Sequence, residues 1–427
     1  MGKFFEISDT IEEAGRRAEA RAKAQFARLD ALTEHNQQKV LAAFGRCRVD
    51  EADFGTTTGY GYSDRGREKL DRLTADIFGA ERAFIRAGSL ACGTHTLSVC
   101  LFGVLRPGDV LLCVTGAPYD TLLSTIGIDG GKSKGRGTLL DFGVQYRQVD
   151  LTPGDALDLA AIEREAARPD VRMVYLQRSR GYTLRHSLPV AEIAAAAAVV
   201  HRVNPRAVVM VDNCYGEFAE EQEPTEAGAD LMAGSLIKNA GGGIAPSGGY
   251  VAGRADLVEL CACRLTTPGL GLEVGATLGQ NRALFMGLFH APHVVGEALK
   301  TAVFAATLFE DLGFAVTPRP DEARHDIIEA ICLETPERLV AFCQGLQKGA
   351  PVDAYVTPEP WDMPGYDNQV IMAAGAFTGG SSIELSADAP LREPFAVWMQ
   401  GGLNYHTGKV GVLLAAEELH RRGLLTR

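Results

Sequence analysis

AVVMVDNCYGEF, residues 207–218, and ADLMAGSLIKNAGGG, residues 229–243, decide the fold of this chain. Each opens with an apolar run too short for a helix and then passes through a polar residue into a turn containing glycine. Runs of that kind read as strands buried on both faces, which is the habit of parallel sheets. Working outward, AFIR (83–86), GTHTLSVCLFGVL (93–105), DVLLCVT (109–115), VRMVYLQ (171–177) and an alanine-rich helix near 190–200 repeat the alternation of strand and helix. The expected fold class is therefore α/β, a large domain with a mainly parallel sheet and helices on both faces. After Gly279 a long helical segment, Arg282 to Leu312, leads into shorter strands broken by Pro and Gly, as a smaller α+β C-terminal domain would. The expected boundaries are an N-terminal helical arm over 1–50, a large domain over 51–285 and a small domain over 286–427. Phe26, Leu29, Leu32, Val40 and Leu41 are the apolar positions read for the arm, and an arm of this kind often packs on a partner subunit.

Bulk properties exclude several classes. With 42 basic against 54 acidic residues the net charge is -12, which opposes nonspecific attraction to nucleic acid or to anionic lipid. Nine cysteines without CxxC spacing indicate neither a zinc site nor a disulfide framework. His95, His290, His293 and His406 form no i, i+4 ligand pair, so no metal is expected. The N-terminus MGKFFEISDTIEEAGRR reads as neither an export nor a myristoylation signal. A cytoplasmic protein off the membrane is expected. GIDGGKS, residues 127–133, has one residue too few for a phosphate-binding P-loop and lacks a preceding strand.

Three local signals carry chemistry. Lys238 follows a strand-like run among small and apolar neighbours, where desolvation lowers an amine's pKa toward that of a nucleophile. Ser235, beside the same glycine-rich turn, is placed to hold a phosphate. Asp212 ends the other strand, at the edge where α/β sheets bind ligands, and a buried carboxylate there is stable beside a protonated heterocyclic nitrogen. Gly93 and Thr94 open an apolar helix whose first N–H groups make an anion cradle, and Tyr119, soon after DVLLCVT, offers an aromatic face to a planar ligand. Each signal alone also has an ordinary reading: a lysine reaching solvent, an aspartate capping a helix or contacting a ribose, a Gly-Thr helix cap, a tyrosine of core or rim. Together they converge on one pocket above the sheet, with Lys238 26 positions after Asp212, which leaves room for a loop and a strand.

SLACGTH (89–95), GAPYDTL (116–122), QRSRGYTLRHSL (177–188), VDNCYGEF (211–218), GSLIKNAGGGIAPSGGY (234–250) and ELSADAPLREPF (384–395) followed by QGGLNYH (400–406) carry a resemblance. The sequence resembles the fold-type-I pyridoxal-phosphate enzymes, in the aluminium-resistance or methionine γ-lyase-like branch of the Cys/Met metabolism family. The resemblance implies that Lys238 carries pyridoxal phosphate and later moves the substrate α-proton, and that Asp212 holds the pyridine nitrogen. It also implies that Tyr119 stacks on the ring, that Gly93, Thr94 and Ser235 hold the phosphate, and that Arg392 grips the substrate carboxylate. Arg180 or Ser179 stands where better-studied relatives carry an asparagine near the ring hydroxyl, and Cys92 stands where many have serine. TTTGYGYSDRGREKL (56–70) resembles the stretch that sends a tyrosine and an arginine into the neighbouring subunit, with Tyr60, Tyr62, Arg65 and Arg67 as candidates. The implied function is a carbon–sulfur lyase releasing thiol, 2-oxo acid and ammonia from an amino-acid substrate, in a homo-oligomer with a dimeric active unit, a tetramer being expected. Transamination, racemisation, γ-replacement, and a noncatalytic role linked to metal tolerance are the alternatives.

Overall fold

The computed structural model describes residues 4–363 and 368–425. The chain divides into two compact units, Gln37–Phe289 and Met1–Asn36 with His290–Arg427. The expected N-terminal arm is thus not a domain of its own. Its helix, Asp9–Arg46, begins in one unit and ends in the other. Ile11, Ala14 and Ala18, spaced to share one helical face, lie in the same core as Leu339, Phe342, Val412 and Leu419 of the C-terminal segment. Leu41, read from the sequence as part of the apolar stripe, is 59% exposed, whereas Val40 is fully buried.

Unit Gln37–Phe289 is built on a seven-stranded sheet: β1 (Arg82–Arg86), β2 (Val110–Cys113), β3 (Gln145–Gln148), β4 (Val171–Gln177), β5 (Val208–Asp212), β6 (Leu231–Ser235) and β7 (Gly249–Gly253). The spatial order is β1-β7-β6-β5-β4-β2-β3. β6, β5, β4, β2 and β3 are parallel neighbours, while β7 runs against both β1 and β6. Every residue of β2, β5, β6 and β7 is buried. Since successive side chains point to opposite faces, both faces of the sheet are covered. On one face Met173, Tyr175, Val208, Met210, Leu231 and Ala233 share a core with Leu97, Cys100 and Leu101 of helix Gly93–Val104 and with Leu257 and Cys261 of helix Ala255–Leu265.

Glycine permits the close backbone approach that its clustering between 241 and 253 implies. A Cβ on Gly248 would lie 2.1 Å from the Arg86 carbonyl oxygen, and one on Gly241 would lie 1.7 Å from that of Leu236. The other unit holds an antiparallel five-stranded sheet made of β8 (Ala315–Thr317), β9 (Ile328–Cys332), β10 (Val370–Ala373), β11 (Ser386–Pro390) and β12 (Ala396–Gln400), in the order β10-β11-β12-β9-β8. Helices Pro336–Gln347 and Tyr405–Arg421 supply its core residues Phe342, Leu346, Val412 and Leu413. Among the described residues, no helix is long and apolar enough to cross a membrane.

Candidate active site

Sheet register sets the geometry of the site. Gln177 at the end of β4 pairs with Asp212 at the end of β5, which pairs in turn with Ala233 of β6. Counting back by twos, Tyr175 and Gln177, Met210 and Asp212, and Ala233 and Ser235 share the face occupied by helix Gly93–Val104. Three polar side chains therefore emerge together at the carboxyl edge of the parallel strands, where α/β sheets place their ligands.

Asp212 is only 5% exposed. Its Oδ1 accepts the Cys214 backbone N–H at 3.1 Å, and its Oδ2 accepts the Tyr175 hydroxyl at 3.2 Å. Burial pushes the carboxyl above the usual carboxylate range, while the Cys214 N–H and thiol and the Tyr175 hydroxyl pull in the opposite direction. Lys238 follows β6 and is half-buried, with Nζ 4.5 Å from the centroid of the Tyr215 ring. Both Asp212 and Lys238 act electrostatically on the Cys214 thiol, one raising its pKa and the other lowering it. The two charged groups thus bear on one short segment, Cys214–Tyr215.

Close by, one hydroxyl is left over. The Ser235 Oγ is buried and, among the described residues, unpartnered, and a buried hydroxyl without a partner is costly. A Cβ on Gly93 would stand 3.1 Å from the Ser235 Cβ and 3.7 Å from its hydroxyl, so the start of helix Gly93–Val104 faces Ser235 directly. Thr94 Oγ1 is 2.7 Å from Thr121 Oγ1. Cys92 is the N-cap, its Sγ accepting the His95 N–H at 3.4 Å. An N-terminal helix turn, a glycine and an unsatisfied hydroxyl make an anion cradle.

Tyr119 is half-buried, its N–H bonded to Gln177 Oε1 at 2.7 Å and its ring 5.9 Å from that of Tyr182. The turn after β4 closes on it, because a Cβ on Gly181 would stand 4.0 Å from the Tyr119 Cδ2 and 3.0 Å from Gln177 Nε2. Ser179 and Arg180 are both buried in that turn. The Ser179 carbonyl accepts Gln177 Nε2 at 3.2 Å, and the Arg180 carbonyl accepts the Thr183 hydroxyl at 2.7 Å. Tyr60 and Tyr62 are exposed. Arg65 instead pairs with Asp53 at 2.7 Å and with Asp50, and Arg67 is buried, donating to the carbonyls of Gly275 at 3.0 Å and Glu273 at 2.8 Å. Both arginines are held within their own unit. Arg392 belongs to the other unit, in an exposed turn closed by the Phe395 N–H on its carbonyl.

On the opposite face, a Cβ on Gly234 would meet Glu217 Oε1 at 2.4 Å and the Tyr250 hydroxyl at 2.9 Å. Glu217 is fully buried and accepts the Tyr250 hydroxyl at 2.7 Å, while its Oε2 has no partner among the described residues. Burial raises its carboxyl to about 8. Its carbonyl accepts Asn239 Nδ2 at 2.9 Å, immediately after Lys238. Nearby, Arg178, also fully buried, donates to Asn213 Oδ1 and the Gly216 carbonyl at 2.8 Å and to Glu220 at 2.7 Å.

Tyr175, Gln177, Cys214, Tyr215 and Glu217 do not stand out in the sequence. Tyr175 and Gln177 lie inside the run VRMVYLQ, and only period-two counting from Met173 puts both on the Asp212 face. Tyr215 has φ 71°, a conformation uncommon for a tyrosine and invisible to composition.

Comparison with known proteins bears on this arrangement. The description of the methionine gamma-lyase family matches residues 11–420. The chain is 44% identical over 417 residues to the uncharacterized protein YnbB of Bacillus subtilis, covering 98% of each. It resembles the crystal structure of a carbon-sulfur lyase involved in aluminum resistance from Clostridium novyi, with a TM-score of 0.93 and 46% identity, covering 97% of this chain and 96% of that one. It is 28% identical over 239 residues to the L-methionine gamma-lyase of Pseudomonas putida, covering 54% of this chain and 51% of that enzyme.

Proposed function

From the premise that the chain belongs to the methionine gamma-lyase family, we propose that it is a pyridoxal-phosphate-dependent carbon–sulfur lyase acting on a sulfur-containing amino acid. When bound, pyridoxal phosphate supplies an aldehyde that captures an amino group and a ring that draws electrons from the substrate α-carbon. The buried, unpartnered Ser235 hydroxyl beside Gly93 suits the phosphate, and the remaining residues fit the rest of the cofactor.

In this reading Gly93, Thr94 and Ser235 hold the phosphate, using helix N–H groups and the Ser235 hydroxyl. Lys238 would hold the aldehyde through its amine, and the same amine is placed to accept the substrate α-proton. The Asp212 carboxylate keeps a proton on the ring nitrogen, so that the ring stays electron-poor. Tyr119 covers the ring face, with Gln177 fixing its backbone. Arg180 is a polar residue of the same rim, and Arg392 is assigned the substrate carboxylate because a planar guanidinium binds it in two-pronged fashion. With the cofactor bound, the overall reaction would consume one water and release a thiol, a 2-oxo acid and ammonia. Exposed Tyr60 and Tyr62 support a dimer as the active unit, each tyrosine loop facing the other protomer's site. The cell interior is the proposed compartment, and neither nucleic acid nor a membrane is a proposed partner.

The observation that carries the reading is that Asp212 and Lys238 meet on one short segment, Cys214–Tyr215, as two groups at opposite ends of one small planar molecule must. Incubation with methionine, cystathionine and cysteine, with thiol and 2-oxo acid assayed, tests it. Release of both from at least one substrate is expected, and inertness toward all three would overturn the lyase assignment.

A further inference from the structure

Resting on the reading above, we infer that Tyr175 is a positioning residue of this site: its hydroxyl, together with the Cys214 backbone N–H, holds Asp212 as the charged partner of the cofactor ring nitrogen. Two hydrogen bonds carry this, one on each carboxylate oxygen, at 3.2 Å from Tyr175 and 3.1 Å from Cys214. They approach the same buried group from β4 and from the turn that follows β5.

What matters is where one proton rests. A carboxylate and a ring nitrogen facing each other share a proton, and it sits on whichever is the stronger base. Asp212 is nearly sealed from water, and burial by itself makes a carboxylate more basic, which would draw the proton off the ring. Donors aimed at the carboxylate stabilise its charge and make it less basic. A carboxylate has about four lone-pair sites, so two donors leave room for the ring nitrogen. Tyr175 is suited to stay a donor: burial and the neighbouring Asp212 charge push its phenol well above the usual range. Its position follows from the sheet, since Tyr175 lies two residues before Gln177, the direct partner of Asp212 in the register, and on the same face. No atoms or electrons are exchanged beyond the shared proton. Removing the Tyr175 hydroxyl moves that proton toward Asp212 and leaves the ring a weaker electron sink.

Reconstitution of wild type and Tyr175→Phe with pyridoxal phosphate labelled with nitrogen-15 in the ring tests this by NMR. The wild-type resonance is expected at the position of a protonated ring nitrogen. The variant resonance moves toward the unprotonated position, and cofactor binding weakens about tenfold, the worth of one hydrogen bond to a charged group. Equal resonances and equal affinities overturn the inference. Should Tyr175→Phe not fold, Tyr175→Met, which also removes the hydroxyl from Asp212, is read in its place: the same displacement is expected, and an unmoved resonance there overturns the inference. If wild type takes up no pyridoxal phosphate, the proposed function itself fails and the inference with it. Cofactor held on Lys238 with a resonance indifferent to both substitutions sinks the inference alone.

Discussion

Replacement of Glu217 by Gln gives a stability change whose pH dependence follows from burial. Glu217 is a fully buried carboxyl raised from 4.5 to about 8, chiefly by desolvation. In the unfolded chain the group ionises near 4.5; in the folded chain it holds its proton up to about 8. The folded state therefore binds more protons across that window, and stability falls as pH rises through it. Below 4.5 the carboxyl is neutral in both states and imposes no penalty. Above 8 the penalty has levelled off, at a ceiling of about 5 kcal/mol, since each tenfold change in proton affinity is worth ~1.4 kcal/mol. Glutamine imitates the neutral acid: its Oε1 can accept the Tyr250 hydroxyl as Glu217 does, and it carries no charge to bury. Urea denaturation of wild type and Glu217→Gln at intervals from pH 5 to pH 8.5 isolates this contribution, because every other titrating group is common to both. The variant is expected to gain on wild type by several kcal/mol between the ends of that range. Parallel pH profiles would falsify the assignment of Glu217 as a buried neutral acid.

The Ser235 hydroxyl has no hydrogen-bond partner among the described residues, so Ser235→Ala should leave the melting temperature nearly unchanged while weakening pyridoxal-phosphate binding about tenfold; equal affinities in a cofactor titration contradict its place in the phosphate cradle. Gly248 has φ 106° and a hypothetical Cβ there lies 2.1 Å from the Arg86 carbonyl oxygen, whereas Gly108, at φ 92°, has nothing within 4 Å. Gly248→Ala should cost about 3 kcal/mol or more, and Gly108→Ala about 1 kcal/mol, the backbone strain alone. Equal costs in denaturant titrations would show that the close approach is not enforced.

The parallel strands are legible in the sequence because full burial leaves each one a short unbroken apolar run, as in VLLC, VRMVYLQ and VVMVD. β3, QYRQ, is not legible: it is an edge strand with both end residues exposed, and an edge needs no apolar signature. β7, GYVAG, is hidden by its terminal glycines, which sit where a Cβ would strike Thr96 Oγ1 at 2.0 Å (Gly249) or the Asp230 carbonyl oxygen at 2.2 Å (Gly253) and so mark close approach, not a break in the strand. Asp212, Ser235 and Gly93 stand out because polar or glycine residues at the end of an apolar run have few other reasons to be there. Tyr175 does not, since an aromatic residue inside a buried run looks like core until the register shows its hydroxyl beside Asp212. The arm expected over 1–50 is helical from Asp9 to Arg46, but helical periodicity reports which face is buried and not what buries it; the face of Ile11, Ala14 and Ala18 lies in the C-terminal unit's core.

Function in this account turns on the amine of Lys238 carrying the cofactor aldehyde opposite Asp212. Borohydride reduction of protein reconstituted with pyridoxal phosphate, followed by peptide mass spectrometry, should find the reduced pyridoxyl group on Lys238 and no such adduct in Lys238→Ala. Its absence from wild type, or its presence on another lysine, would contradict that assignment.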